Sequence, residues 1–409
     1  MDTKIAIWMK NISKKDYLKD KKCLNPLKIQ FKIEVNYFLK KYRLISSIYK
    51  LTWLSYCDHN MHNHILIKRK ENLMINLKKL SLTFLTLIFT LCLSVQSVNA
   101  GNVTINLGHG NTEGSAYDPL AKKFAELAEK YSNGTVKVKV RCCAQLVKED
   151  EAFKAMQLGT VDMAIITGNN LSPHFGLTDA FVLPYIFKNK EHAYKVLEGP
   201  VGDSYKKKLL DATGVTILAF GFVGDRDFYN SRKPIKSMAD MKGLKVRVPK
   251  NQVMIDTFKE FGAAPIALPW ADTPTALQTG TVQGADNGTS FIKSAKFYEI
   301  MPYFTVLEHF TYFSPLMASP HLMKKLDADQ KKAVLRAGKE ANDYQKSVMS
   351  KKVGEIRKFL TTEGQGGMKT TEFDRTDFIA AGQRVQDKYA TSKGAEFTEF
   401  VQAIRAAGN

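Results

Sequence analysis

The chain has 409 residues and carries 60 lysines and arginines against 40 acidic residues, which gives a formal net charge of +20 at pH 7. Such a charge on its own would favour a nucleic-acid partner. The excess is concentrated in residues 1–100, with 18 basic and 6 acidic side chains, whereas residues 101–409 hold 42 and 34. The longer part has a net charge of only +8, spread evenly, which argues against nucleic acid and favours small anionic ligands.

Residues 74–100 have the organisation of a secretory signal peptide. Lys78 and Lys79 precede an apolar run over 80–95, and the segment ends on small residues at Ala100. This run is shorter than the ~20 apolar residues that span a bilayer. We therefore expect cleavage near Ala100 and a periplasmic protein. An uncleaved membrane anchor is the alternative.

Residues 1–73 lie ahead of this signal peptide and show no clean amphipathic period. A segment of that length before a signal peptide is unusual. We expect translation to begin at Met74, so that 1–73 is upstream sequence from an incorrectly assigned start. A genuine N-terminal domain is the alternative. Residues 101–409 then form the mature solute-binding domain.

Residues 101–409 alternate between strand and helix patterns. Strands are predicted at 103–107, 136–140, 161–166, 215–220 and 244–248, with another beginning at Val282. Helices are predicted from Asp118, at 149–158, 251–261 and 273–279, and over about 327–360, where Asp327 and Gln330 form a capping box. The order predicts an α/β fold with parallel pairing, in two lobes rather than one sheet. We expect lobe 1 at about 101–222 plus part of the C-terminal region, lobe 2 at about 223–310, and the long helix across both.

Catalytic and cofactor motifs are absent from residues 101–409. The five histidines make no HxxxH pair, and no GxSxG, Walker or GxGxxG sequence occurs. We expect no enzyme activity, no metal and no cofactor. The alternative is a secreted enzyme that uses Asp286 with His309 or Glu113.

Cys142 and Cys143 are the two cysteines of residues 101–409, and they are adjacent. Neighbouring Cα atoms lie about 3.8 Å apart, below the usual disulfide span. The spacing predicts two free or loosely paired thiols at a strand end, and it lacks the CxxC pattern of a redox site.

The segment Gly243–Pro249 contains a candidate anion-binding residue. Leu244, Val246 and Val248 point to one face of the predicted strand, while Lys245 and Arg247 point to the other. An arginine at the carboxyl end of a strand lies at the mouth of a crevice, and its planar fork suits a carboxylate or sulfonate. An ordinary exposed strand arginine remains the alternative from the pattern alone.

Several ordered segments closely resemble the substrate-binding proteins of TRAP (tripartite ATP-independent periplasmic) transporters. The resemblance rests on Gly243–Pro249, Gly224–Ile235 and Ala276–Asn287, with support from Leu158–Met163, Phe181–Tyr185 and Lys296–Glu299. It implies a clamshell of two lobes, like other periplasmic binding proteins, that closes on a small organic anion. The implied partner is a TRAP membrane permease, and we expect a monomer. A ligand-binding module for a sensor kinase or chemoreceptor is the alternative.

The resemblance also implies roles for individual residues. It makes Arg247 the two-bond anchor of the ligand carboxylate, with Arg226 and Asn287 as further contacts and Trp270 as the aromatic wall. Asp286 stands where the family usually has a glutamate, which keeps the acidic character with a shorter reach. Thr167, Asn169 and Asn170 replace positions that are charged in some relatives. These neutral groups would suit hydroxyls, so we expect a hydroxylated carboxylate or sulfonate.

Overall fold

The structure is a computed structural model that describes residues 101–408. The predicted upstream sequence and signal peptide lie outside the described residues. In the described part, no helix combines the length and the apolar character needed to cross a membrane.

The strands join into one mixed sheet in the order β2-β1-β3-β9-β4-β7-β5-β6, with β8 bonded to β4 and β10 bonded to β8. The strands are β1 (Val103–His109), β2 (Val136–Arg141), β3 (Met163–Ile165), β4 (Thr216–Asn230), β5 (Lys245–Val248), β6 (Ala264–Ala267), β7 (Gly284–Gly288), β8 (Tyr303–Thr305), β9 (Thr311–Ala318) and β10 (Lys369–Thr370).

Helices cover both faces of the sheet, as parallel strand pairs require. The helices are α1 (Tyr117–Tyr131), α2 (Glu149–Leu158), α3 (Asp179–Val182), α4 (Lys190–Leu197), α5 (Pro200–Thr213), α6 (Gln252–Glu260), α7 (Thr273–Gln278), α8 (Thr289–Ser294), α9 (Pro320–Lys325), α10 (Ala328–Thr361), α11 (Thr376–Ser392) and α12 (Ala395–Ala406).

Strand β4 connects two sections of the sheet. Residues 216–225 pair with β9 in the first section, which also contains β1, β2 and β3. Residues 226–230 pair with β7 and β8 in the second section, which also contains β5, β6 and β10. The change of partner follows a bulge at Gly224, whose φ of 103° suits a residue without a Cβ atom. The predicted α/β strands and helices are present, but the prediction that the two lobes share no sheet was wrong, because β4 belongs to both sections.

Helix α10 extends across both sections, as predicted. Its 34 residues begin at the predicted capping box, in which Asp327 and Gln330 cap each other's backbone N–H groups. Ala341 and Met349 pack into the core of the first section, whereas Leu360 packs into the core of the second. One helix therefore contributes to two separate apolar cores.

Cys142 and Cys143 follow β2 and are joined by a disulfide, which differs from the predicted free or loosely paired thiols. The backbone at Cys143 and at the following Ala144 is left-handed, with φ values of 63° and 57°. This left-handed conformation was not predictable from the local sequence, because non-glycine residues adopt it rarely.

A group of five charged side chains, here called the junction cluster, lies where β4 passes between the sections. Arg357 of α10 bonds Asp227 of β4 at 2.9 Å and Glu308 at 2.8 Å, and Arg375 bonds Glu308 at 2.6 Å. Asp225 completes the cluster. Burial raises the pKa of Asp225 to about 6 and that of Asp227 to about 7, although Arg357 opposes the effect.

We expect Arg357→Met to lower the free energy of unfolding by roughly 2–4 kcal/mol at pH 8, because it leaves the buried Asp227 carboxylate unpaired. The folded-state pKa of Asp227 lies above its unfolded value of about 3.9, so ionisation of Asp227 costs stability as the pH rises from 4 through 7. The variant should therefore lose less at pH 5, where Asp227 takes up a proton. Urea unfolding at both pH values measures this difference. The control Lys358→Met removes an exposed charge from the same helix, and an equal loss at both pH values would contradict the assignment.

Candidate functional site

A cleft lies between the two sheet sections, at the carboxyl ends of their parallel strands. Ligands bind at this edge in open α/β sheets. One wall comes from the start of α2 and from the turn after β3, and it presents Glu149, Thr167, Asn169 and Asn170.

The opposite wall of the cleft comes from the second section. Arg247 ends β5, Trp270 follows β6, and Asn287 lies in β7. The floor is formed by Arg226 of β4 and Tyr312 of β9, the two strands that cross the middle of the sheet. Strand pairing therefore brings residues far apart in the chain to one place.

Arg247 is buried without a charged partner. Its side chain is 3% exposed, and its Nε and Nη2 atoms both donate to the carbonyl oxygen of Leu268, at 3.0 and 2.7 Å. Within residues 101–408, no carboxylate forms an ion pair with this guanidinium. Burial and repulsion from Arg226 lower the pKa of Arg247 to about 10, so the group stays protonated at neutral pH.

Arg226, in contrast, is fully paired. Its Nε and Nη2 atoms donate to the two carboxylate oxygens of Asp286 at 2.6 and 3.0 Å, and Nη2 also donates to the Asp286 carbonyl. His309 lies against the same carboxylate, with Nε2 at 3.2 Å from Oδ2. Burial alone would raise the pKa of Asp286, but Arg226 and His309 hold it below its ordinary value. The pairing fixes the Arg226 side chain and leaves Nη1 directed to Asn287.

Two aromatic rings accompany the two arginines. The guanidinium carbon of Arg247 lies 5.8 Å from the ring centre of Trp270, and that of Arg226 lies 5.0 Å from the ring of Tyr312. These distances are within the range of cation–π attraction, which stabilises a charge where water is excluded. The rings also give the cleft apolar surface beside its cations.

Glu149 anchors a polar network on the first wall. Its Oε1 atom accepts from the backbone N–H and the hydroxyl of Thr167 and, at 3.3 Å, from the hydroxyl of Tyr117. The Thr167 hydroxyl lies 3.0 Å from that of Tyr312. The second carboxylate oxygen of Glu149 takes no part in these bonds and belongs to a residue that lines the cleft.

The two walls contact each other directly. Asn251 of the second section donates to the carbonyl of Asn169 at 3.1 Å and to Ser172 at 2.9 Å, and Lys250 lies 3.3 Å from Asp150. The cavity between the walls is about 20 Å³, far below the roughly 300–1,000 Å³ of small-molecule sites. The cleft is therefore closed, and the walls must separate to admit a ligand.

Comparison with known proteins agrees with this arrangement. The family described as bacterial extracellular solute-binding protein, family 7, matches residues 107–393. The chain belongs to this family.

Members of family 7 with known ligands are similar over most of this chain. The 2,3-diketo-L-gulonate-binding periplasmic protein of Escherichia coli is 30% identical, over 74% of this chain and 92% of that protein. The C4-dicarboxylate-binding periplasmic protein of Rhodobacter capsulatus is 32% identical, over 78% of this chain and 95% of its own. The structure of a TRAP periplasmic solute-binding protein of Roseobacter denitrificans, solved with L-galactonate, matches this one with a TM-score of 0.69 and 30% identity. The match covers 75% of this chain and 99% of that one.

The comparisons confirm the resemblance and the fold expected from the sequence. The chain is a TRAP-type solute-binding protein with the two-lobed α/β fold of this family. The relatives are periplasmic binding proteins rather than enzymes. The pair Asp286–His309, considered above for an enzyme, is enclosed in the core, and Glu113 instead pairs with Lys122 on α1.

Most of the predicted site residues come together in the cleft. Seven line it: Thr167, Asn169, Asn170, Arg226, Arg247, Trp270 and Asn287. Asp286 does not line it, because this fully buried side chain lies behind Arg226. Sequence reasoning missed Glu149 and Tyr312. Glu149 starts a helix, where an acidic residue is ordinary, so the pattern gave no reason to select it.

We expect Asp286→Asn to change the pH dependence of stability. Because its pKa is lowered in the folded state, Asp286 contributes stability that is present above its unfolded value of about 3.9 and is lost as the pH falls below it. The variant should be less stable than the parent at pH 7, and it should lack this part of the acid-induced decline. Thermal unfolding between pH 3 and pH 7 measures both effects, with the exposed Asp272→Asn as control. A parallel decline in parent and variant would be evidence against the pairing with Arg226.

Proposed function

We propose that this protein binds a hydroxylated organic acid of the sugar-acid class in its cleft and delivers it to a TRAP membrane permease. The observation that carries the proposal is the buried guanidinium of Arg247, which has no anionic partner in the described part of the chain. A buried charge is costly unless a counter-charge completes it. A ligand carboxylate supplies that counter-charge.

The ligand's carboxylate end is held by the arginines and Asn287. Nη1 of Arg247 makes none of the bonds to Leu268, so it is available to an incoming oxygen. Hydrogen bonds to charged groups contribute about 1.5–3 kcal/mol each, and a micromolar dissociation constant corresponds to about 8 kcal/mol. Two or three such bonds and the apolar contact with Trp270 are enough for that affinity.

The ligand's other end faces groups suited to hydroxyls. The remaining carboxylate oxygen of Glu149 is an acceptor, and Asn169 and Asn170 provide both donors and acceptors. A second carboxylate at this end would meet the negative charge of Glu149. The charge arrangement therefore favours a monocarboxylate with hydroxyls over a dicarboxylate.

The relatives support the same ligand class. Sugar acids or their keto derivatives are bound by the Roseobacter denitrificans and Escherichia coli proteins, whereas the Rhodobacter capsulatus protein binds C4-dicarboxylates. We also propose a periplasmic location after cleavage near Ala100. We propose as well that the first lobe comprises about 101–222 plus part of the C-terminal region, and the second about 223–310.

We expect Arg247→Ala to weaken binding of L-galactonate at least about 100-fold, because two charge-assisted bonds are lost. Isothermal titration calorimetry on the full chain measures the change, and circular dichroism checks that the fold is retained. The matched control is Lys245→Ala, which removes an exposed cation from the same strand and should bind within twofold of the parent. Unaltered affinity in Arg247→Ala would overturn the proposed anchor.

Glu149→Gln separates the two ligand classes. We expect it to weaken L-galactonate binding several-fold, since the amide is a poorer acceptor for a hydroxyl. Succinate binding should improve or stay the same, because a repulsive charge is removed. Calorimetry with both acids on parent and variant provides the comparison, and Glu151→Gln, an exposed position of the same helix that does not line the cleft, is the control. Weaker succinate binding together with unchanged galactonate binding would instead assign the cleft to dicarboxylates.

A further inference from the structure

A second cavity lies outside the cleft, between α1, α8 and α10, and is called here the α1–α10 groove. It has a volume of about 330 Å³, within the range of small-molecule sites. Ser115 contributes from the start of α1, Ser290 from α8, and Val348, Met349 and Lys352 from α10. None of the residues that line the cleft also lines this groove.

Two buried hydroxyl groups in the groove have no hydrogen-bond partner. Ser115 is 2% exposed and Ser290 is 5% exposed, and the Oγ atom of each is unpartnered within the described residues. Leaving a buried hydroxyl unsatisfied costs about 1–3 kcal/mol. Both serines line the same cavity, so a polar occupant can supply the bonds that their hydroxyls lack.

One of the three lysines that line the groove has no acidic partner among the described residues. Lys122 pairs with Asp118 at 3.3 Å, and Lys123 pairs with Glu126 at 2.7 Å. Lys352, on the opposite side, forms no ion pair with any residue of 101–408. The unpaired ammonium therefore selects for a negative charge on the occupant.

The remaining lining of the groove is apolar. Val348, Met349 and Ile356 form a stripe along α10, with Ala116 and Pro119 facing it from α1. A fully polar ligand would leave this surface without a partner, whereas a short hydrocarbon chain covers it.

We propose that the α1–α10 groove is a second ligand site, which binds a small aliphatic monocarboxylate. Its carboxylate lies near Lys352 and accepts from the hydroxyls of Ser115 and Ser290, and its hydrocarbon chain packs on the α10 stripe. Because α1 belongs to the first section and α8 follows β7 of the second, both sections contribute to the site. The inference is independent of the ligand assigned to the cleft.

The test uses hexanoate and the full-length protein. The Arg247→Ala variant serves as background, so that the carboxylate has no anchor in the cleft. We expect saturable binding in calorimetry, weakened at least tenfold by adding Lys352→Glu and at least threefold by adding Ser290→Ala. Hexanamide, which has the same chain without the charge, should bind at least tenfold more weakly than hexanoate.

Lys351→Glu is the matched control, because Lys351 neighbours Lys352 on α10 but does not line the groove. It should change hexanoate affinity less than twofold. The proposal is overturned if hexanoate fails to saturate the Arg247→Ala protein at millimolar concentration, or if Lys351→Glu and Lys352→Glu weaken it equally. Thermal unfolding of each variant shows that the fold is retained. L-galactonate titrations of the Lys352→Glu protein report on the cleft separately.

Discussion

A guanidinium buried in the cleft, with no counter-ion among the residues that the structure describes, is the constraint on which the rest of this structure depends. Removing such a charge from water costs several kcal/mol, and the Leu268 carbonyl offsets only part of it. This cost lowers the stability of the closed form whenever the cleft is empty. An anion from solution returns it, because the ion pair forms where water is excluded and attraction is strong. Under the proposed function, Arg247 therefore makes closure of the cleft depend on the ligand, in addition to contributing affinity.

Arg226, the second arginine of the cleft, differs from Arg247 because its charge is already neutralised by a carboxylate of the protein. Arg226 and Asp286 lie on the paired strands β4 and β7, so the sheet itself holds them in register. With both carboxylate oxygens engaged and His309 behind them, Arg226 keeps one orientation. The positive charge of Arg226 also repels that of Arg247 and lowers the pKa of Arg247. The cleft therefore holds two cations, of which only Arg226 is paired within the described residues. The two side chains are chemically identical, but their neighbours hold Arg226 in one orientation and leave Arg247 without an anionic partner in the described part of the chain.

The sequence predicted those parts of the fold that repeat a local pattern. The boundaries of α2 and the capping box of α10 followed from apolar spacing and helix-end chemistry. Strand β4 was predicted at less than half its length, because Gly221, Gly224 and Asp225 interrupt the apolar run that identifies a buried strand. Strand β9 was missed for a similar reason, since Ser314 and Pro315 occur within it. The candidate site residues were selected through family resemblance. The position of Asp286 behind Arg226 and the entry of Glu149 into the cleft depend on tertiary pairing, which no local pattern encodes.

Strand β4 and helix α10 both run unbroken from one half of the molecule to the other. Two such tethers prevent the halves from sliding or drifting apart, so their relative motion reduces to a bend. Within β4, the bulge at Gly224 is the place where the ladder is already interrupted, and Val353 of α10 lies against it. A joint of this kind leaves the internal geometry of each half unchanged. The conformational ensemble is then described mainly by one angle, and the breadth of its distribution determines how often an empty molecule adopts the closed form.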